Sequence, residues 1–187
     1  MKITHSFTYI FLIWNLFLAV IPYAITMTLK SKRHLNSYAL SFWCCVWLLF
    51  LPNAPYIITD LLHLSNINNS MLWLDVLLLT SFAYNGLIVF FLSVFDMQIL
   101  IASRLSKNKT RYFINIVFML TGFGVYLGRF LRYNSWDILQ QPLALLEDIS
   151  IMILQPRAHI EIWLFTFCFG SFLMLSFWLF KAFKRIE

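Results

Sequence analysis

Apolar positions in this chain come in long, nearly unbroken runs, and polar residues gather between the runs instead of alternating with them. Runs at residues 7–29, 37–53, 71–100, 112–131 and 160–180 match the ~20 residues a helix needs to cross a hydrocarbon core of about 30 Å. The second run is short for a crossing, and part of the segment that follows Pro52 completes it. A further apolar stretch, residues 138–154, carries Glu147 and Asp148. Burying both carboxylates near mid-bilayer would cost a few kcal/mol each. Pro142 as a first-turn residue and Pro156 as a stop bracket a helix over 142–155, too short to cross and suited to lying at, or dipping into, the outer interface. The pattern predicts an all-α polytopic membrane protein: one integral-membrane domain over 1–187, about five transmembrane helices, and short interfacial helices at 53–64 and 142–155 on the outer face.

The segment 53–64 concentrates reactive side chains. Wound at ~100° per residue, Asn53, Tyr56, Thr59, Asp60 and His63 share an arc of about 120°, and Ala54, Ile57, Ile58, Leu61, Leu62 and Leu64 take the other side. Asn53 followed by Pro55 is a start signal, because asparagine caps a helix and a first-turn proline loses no needed hydrogen bond. Two readings follow: an amphipathic helix with its polar side to water, or the lip of a functional site.

Composition places the chain in lipid. Hydrophobic residues make up 61% and charged residues only 12%, against about a quarter charged in soluble domains. The net charge of +6 does not point to nucleic acid, because the cations sit at the ends of apolar runs, where they orient the protein and meet anionic headgroups. Five spans put ten of the fourteen Lys and Arg on one side, which the positive-inside bias makes cytoplasmic. Lys2, Arg129, Arg132 and Arg157 then lie outside, with the N-terminus outside and the C-terminus in the cytoplasm. The first run is longer than the ~7–15 residues of a signal-peptide core, and only Lys2 precedes it, so a span is expected there. Cys44, Cys45 and Cys168 all sit in apolar runs without a C-x-x-C pair, as packing residues; no metal and no cofactor is expected.

Two polar stripes run through the spans. Asp75, Ser81, Asn85, Ser93 and Asp96 share an arc of about 120° in the third, which must face protein or water rather than acyl chains. Interhelical hydrogen bonding explains such a stripe, as does a ligand cavity or proton path through Asp75, Asn85 and Asp96. In the fourth span, Asn115, Thr121, Gly122, Arg129 and Arg132 align, and Gly124 and Gly128 form a weak G-x-x-x-G signal for close helix contact. Arg129 and Arg132 either snorkel to outer headgroups or, beside Asn134 and Asp137, clamp a phosphate or carboxylate. By topology Asn53, Tyr56, Asp60, His63, Arg129, Arg132, Asn134, Trp136 and Asp137 all reach the outer surface, where distant segments could converge.

Leu51-Pro52-Asn53-Ala54-Pro55-Tyr56 with Thr59-Asp60-Leu61 and His63, then Tyr84-Asn85-Gly86, then the run from Gly128 through Arg129, Arg132, Tyr133, Asn134 and Trp136 to Asp137, resemble in order an uncharacterised bacterial family of small multi-spanning membrane proteins, domain of unknown function 1361. The resemblance covers most of the chain and implies a bacterial plasma-membrane location, but no activity and no catalytic residue.

Three functions compete. The first is a binding protein with membrane lipids as partners, holding an anionic headgroup or small anionic ligand on Arg129 and Arg132. The second is an enzyme acting on a lipid or cell-envelope precursor, with His63 as general acid or base, Asp60 or Asp137 orienting it, and the arginines stabilising negative charge. It lacks any nucleophile or metal-binding signature. The third is a small transporter or transporter accessory subunit, supported by the stripe through Asp75, Asn85 and Asp96 and opposed by the lack of repeats.

Overall fold

A computed structural model describes residues 4–32, 36–61 and 72–184. Every regular element among them is helical. In order they are α1 (Thr4–Ser31), α2 (Ser37–Phe50), α3 (Asn53–Thr59), α4 (Leu72–Ala102), α5 (Lys107–Phe130), α6 (Asp137–Gln140), α7 (Pro142–Leu154) and α8 (Ile160–Lys184). Among the described residues, five stretches are long and apolar enough to cross a membrane: Ile10–Ser31, Ser37–Thr59, Leu72–Ala102, Lys107–Phe130 and Ile160–Phe183. Large apolar side chains such as Ile13, Trp14, Phe17 and Phe167 stay exposed on them, as expected where the surrounding solvent is acyl chain and helix association depends on packing and polar contacts instead of apolar burial.

The chain falls into two compact units, Met1–Thr110 and Arg111–Glu187. In the first, α1 packs against α2, α3 and α4, and α4 packs against α3. Leu12, Ala19, Trp47, Ile57, Phe90 and Met97 form its core. The second crossing is a broken helix. Leu51 and Pro52 keep right-handed backbone angles between α2 and α3, so the chain passes from one helix to the next without a reversal. Two prolines in four residues remove the amide donors that would make it continuous. The remaining bonds, Leu51 N–H to Trp47 O at 2.9 Å and Tyr56 N–H to Pro52 O at 3.0 Å, hold the junction.

The helix runs through Pro52, which stands at the N-cap of α3, and the Asn53 amide donates to the Phe50 carbonyl at 3.0 Å, filling an acceptor that the proline break exposes. Of the expected polar arc, Thr59 and Asp60 are buried, along with Ala54, Pro55 and Ile57, and Asn53 and Tyr56 are half-buried. Gly86 of α4 makes the contact possible. A Cβ there would lie 2.7 Å from the Ala54 carbonyl oxygen and 3.2 Å from Ile57 Cδ1.

In the second unit, α5 and α8 meet through glycines. A Cβ on Gly122 would sit 2.9 Å from the Thr166 carbonyl oxygen, and one on Gly170 would sit 3.1 Å from the Phe118 carbonyl oxygen. The close approach therefore runs through Gly122 and Gly170, where the sequence pattern had pointed to Gly124 and Gly128. Phe118 stacks near Phe177 at 5.4 Å, and Tyr126, Phe130, Phe165 and Phe169 extend the aromatic seam.

Candidate functional site

Four polar contacts in the first unit join side chains from different parts of the chain. Lys30 Nζ lies 2.7 Å from Asp96 Oδ1, Trp47 Nε1 donates to Ser93 Oγ at 2.8 Å, and Arg104 donates to Ser37 Oγ at 2.9 Å. The Lys30–Asp96 and Arg104–Ser37 contacts involve the end of α1, the start of α2 and the last part of α4. Further along α1, Asn15 Nδ2 donates to Asp60 Oδ2 at 3.4 Å, and both residues are buried, at 7% and 2% exposure. Asp60 thus faces α1, away from any open outer surface. Tyr56 is half-buried beside it.

The stripe on α4 divides. Its lower half, Ser93 and Asp96, is buried and paired as above. Its upper half is not directed into the bundle: Asn85 and Ser81 are exposed, with Asn85 Nδ2 donating to the Ser81 carbonyl at 2.8 Å and Ser81 Oγ to the Leu77 carbonyl at 2.7 Å. Both satisfy themselves on their own helix, four residues back, a pattern that lets a polar side chain sit on an exposed face of a span. Asp75 is half-buried near the start of the helix.

In the second unit the end of α5 carries the arginines. Arg129 is half-buried, and Arg132 is exposed with φ 61°, the left-handed region in which a long side chain is uncommon. That reversal brings the Tyr133 N–H back to the Leu127 carbonyl at 3.1 Å, serving one of the helix's last acceptors. The neighbouring carboxylates are committed elsewhere. Asp137 Oδ2 accepts from the Asn134 backbone N–H at 2.7 Å and its side-chain amide at 3.3 Å, and Asp148 Oδ2 accepts from the Tyr133 hydroxyl at 2.7 Å. The Asp148 bond, followed by burial and the nearby charges of Asp148 and Asp137, pushes the Tyr133 phenol above its ordinary value of 10. Trp136 is half-buried next to this turn. Arg132 itself makes no side-chain hydrogen bond or ion pair among the described residues.

Of the residues expected to meet outside, Asn53, Tyr56 and Asp60 belong to the first unit and Arg129, Arg132, Asn134, Trp136 and Asp137 to the second. His63 lies outside the described residues. Asp137 is engaged by Asn134, which accounts for its carboxylate without a histidine. Among the described residues no group of three or more His, Cys, Asp or Glu gathers as a metal site, and Cys44, Cys45 and Cys168 are free. Asn15, Ser93 with Trp47, and Tyr133 with Asp148 are the pairings that sequence reasoning missed. An amide inside an apolar run was the available signal for Asn15.

Long apolar helices, self-satisfied intramembrane polar groups and the scarcity of charge define a multi-pass, all-helical integral membrane protein. The chain belongs to the family described as protein of unknown function (DUF1361), which matches residues 14–176. Comparison with curated proteins and with solved structures gives no match.

Proposed function

We propose that this chain is a plasma-membrane binding protein, N-terminus outside and C-terminus cytoplasmic, that holds a phosphate- or carboxylate-bearing headgroup on Arg132, with Arg129 one turn earlier on α5. The observation that carries this reading is the state of Arg132: exposed at the end of a spanning helix, and without a partner among the described residues. Two acids of the same unit, Asp137 and Asp148, are taken by Asn134 and Tyr133. Five guanidinium N–H donors in a planar fork are thereby left for an anion, and a bidentate pair with phosphate or carboxylate is the arrangement they fit. The positive-inside bias supports the same conclusion, because arginines at the outer end of a span work against it and need a local reason to be there. The enzyme reading has less support: it lacks a nucleophile or metal-binding signature in the sequence, and Asp137 is turned to Asn134.

The test is stabilisation by ligand in neutral detergent. A bound anion stabilises by RT ln(1 + [L]/Kd), about 2.7 kcal/mol at a hundredfold excess over Kd. Phosphatidylglycerol should raise the unfolding temperature of the wild type and phosphatidylcholine should not. Arg132→Gln should abolish the rise, and Arg132→Lys should keep only part of it, since an ammonium retains charge without the fork. Inorganic phosphate in a parallel series separates a soluble anion from a lipid headgroup. Equal stabilisation of wild type and Arg132→Gln would sink the reading.

A further inference from the structure

Helix α4 carries, near mid-membrane, polar side chains that the described residues leave uncovered. Trp73, Leu77, Thr80, Ser81, Tyr84 and Asn85 are all exposed. They lie on two adjoining ridges of four-residue spacing, one through Trp73, Leu77, Ser81 and Asn85 and one through Thr80 and Tyr84. The span Leu72–Ala102 has its midpoint at Leu87, so Asn85 sits about 3 Å from the middle along the axis, deep in hydrocarbon. Its bond from Nδ2 to the Ser81 carbonyl uses one N–H of an amide that has two donors and two acceptor lone pairs. The Asn85 Oδ1 and its second N–H have no partner among the described residues, and neither has the Tyr84 hydroxyl. Acyl chains can supply none, and leaving such groups unpaired in lipid is costly.

Whatever covers this face has to offer both a donor and an acceptor at the depth of Asn85. A second copy does so by symmetry. Copies inserted in one orientation meet in parallel about a two-fold axis along the membrane normal, which sets Asn85 against Asn85, each Nδ2 donating to the other's Oδ1. The shape agrees. Thr80 and Ser81 are small and lie between Trp73 and Tyr84, so backbones can approach closely there, and ridges of four-residue spacing interlock with their like at a crossing of about −50°. We propose that this face of α4 is a self-association surface, on which two copies of the chain pair through Asn85 with Thr80 and Ser81 at the crossing. The contact forms between chains in the bilayer, separate from the stability of the single chain in detergent and from any anion on Arg132.

The experiment reads resonance energy transfer between full-length copies labelled through Lys107→Cys, with Cys44, Cys45 and Cys168 replaced by alanine. The copies are reconstituted in phosphatidylcholine vesicles and diluted stepwise with lipid. The expected result is transfer above random mixing, with association weakened about tenfold in Asn85→Leu by the loss of two interhelical bonds. Asn85→Gln, whose amide keeps the same donors and acceptor, should recover most of it. Transfer at the random-mixing level in the parent protein, or the same dilution midpoint in Asn85→Leu, would overturn the proposal. Should the cysteine-free chain fail to insert, a benzoylphenylalanine at Leu77 in the otherwise native chain gives the decision. An adduct of two chains on irradiation supports the pairing, whereas adducts only with lipid or within one chain contradict it.

Discussion

Adding one methyl group at Gly86 should destabilise the first unit measurably. In Gly86→Ala the new Cβ would meet the Ala54 carbonyl oxygen at 2.7 Å, and the oxygen is backbone in a fully buried residue, so no side chain can swing aside. Overpacking of this kind costs about 1–3 kcal/mol, and rigid backbone on one side argues for the upper half of that range. Alanine recovers about 0.8–1 kcal/mol of helix propensity over glycine. The net expectation is a loss of about 1–2 kcal/mol. Unfolding followed by circular dichroism in mixed micelles of rising SDS fraction should show the midpoint moving to lower SDS. Ile57→Val in the same background supplies a check. It removes the second contact, Cδ1 at 3.2 Å, but leaves the carbonyl in place, so it should not restore stability. A midpoint for Gly86→Ala equal to or above wild type, or full rescue by Ile57→Val, would refute the account of a backbone-limited α3–α4 contact.

Other outcomes follow from named contacts. Trp47→Phe and Ser93→Ala should each cost about 1–2 kcal/mol, because the fully buried partner loses its bond, and the double replacement should cost less than the sum in the same SDS titration. Asn85→Leu should insert normally and match or exceed wild-type thermal stability in detergent, since the exposed amide is satisfied only by its own helix; a loss above about 1 kcal/mol would assign it a partner that helix does not supply. The Tyr133 phenol, raised above 10, binds Asp148 in its neutral form. Its stabilising contribution is therefore complete below pH ~10 and is lost as pH rises through the raised value. The tyrosinate absorbance of wild type minus Tyr133→Phe should titrate above the ordinary tyrosine range and move down towards that range in Asp148→Asn, burial and Asp137 remaining in place.

The membrane fold was legible because long apolar runs have few alternatives. A helix is the one local structure that satisfies its own backbone in lipid, so run length alone predicted five spans. What the runs could not convey is direction around each helix. Asn85 and Ser93 share a stripe by periodicity, but Ser93 meets Trp47 while Asn85 folds back on Ser81, a choice made by neighbours that lie distant in sequence. The segment beginning at Asn53 shows the same limit. Its polar arc was visible, yet the burial of Thr59 and Asp60 depended on α1 and α4 packing against α3, neighbours that lie distant in sequence. Gly86 was visible only as part of Tyr84-Asn85-Gly86, and its role required the position of the Ala54 carbonyl. At the arginines, Arg129 and Arg132 were evident, whereas the commitment of Asp137 to Asn134 and of Asp148 to Tyr133 was not, and that commitment is what leaves Arg132 open.

The central claim is that Arg132 holds an anionic headgroup, and native mass spectrometry of the protein ejected from lipid nanodiscs tests it most directly. Nanodiscs containing phosphatidylglycerol and phosphatidylcholine in equal amounts would be compared for wild type, Arg132→Gln and Arg132→Lys. Hydrogen bonds to charged groups are worth about 1.5–3 kcal/mol, so losing the fork should weaken retention about 10- to 100-fold. The account predicts one phosphatidylglycerol retained selectively by wild type, sharply reduced retention in Arg132→Gln and an intermediate level in Arg132→Lys. Identical lipid occupancy in all three proteins would contradict it.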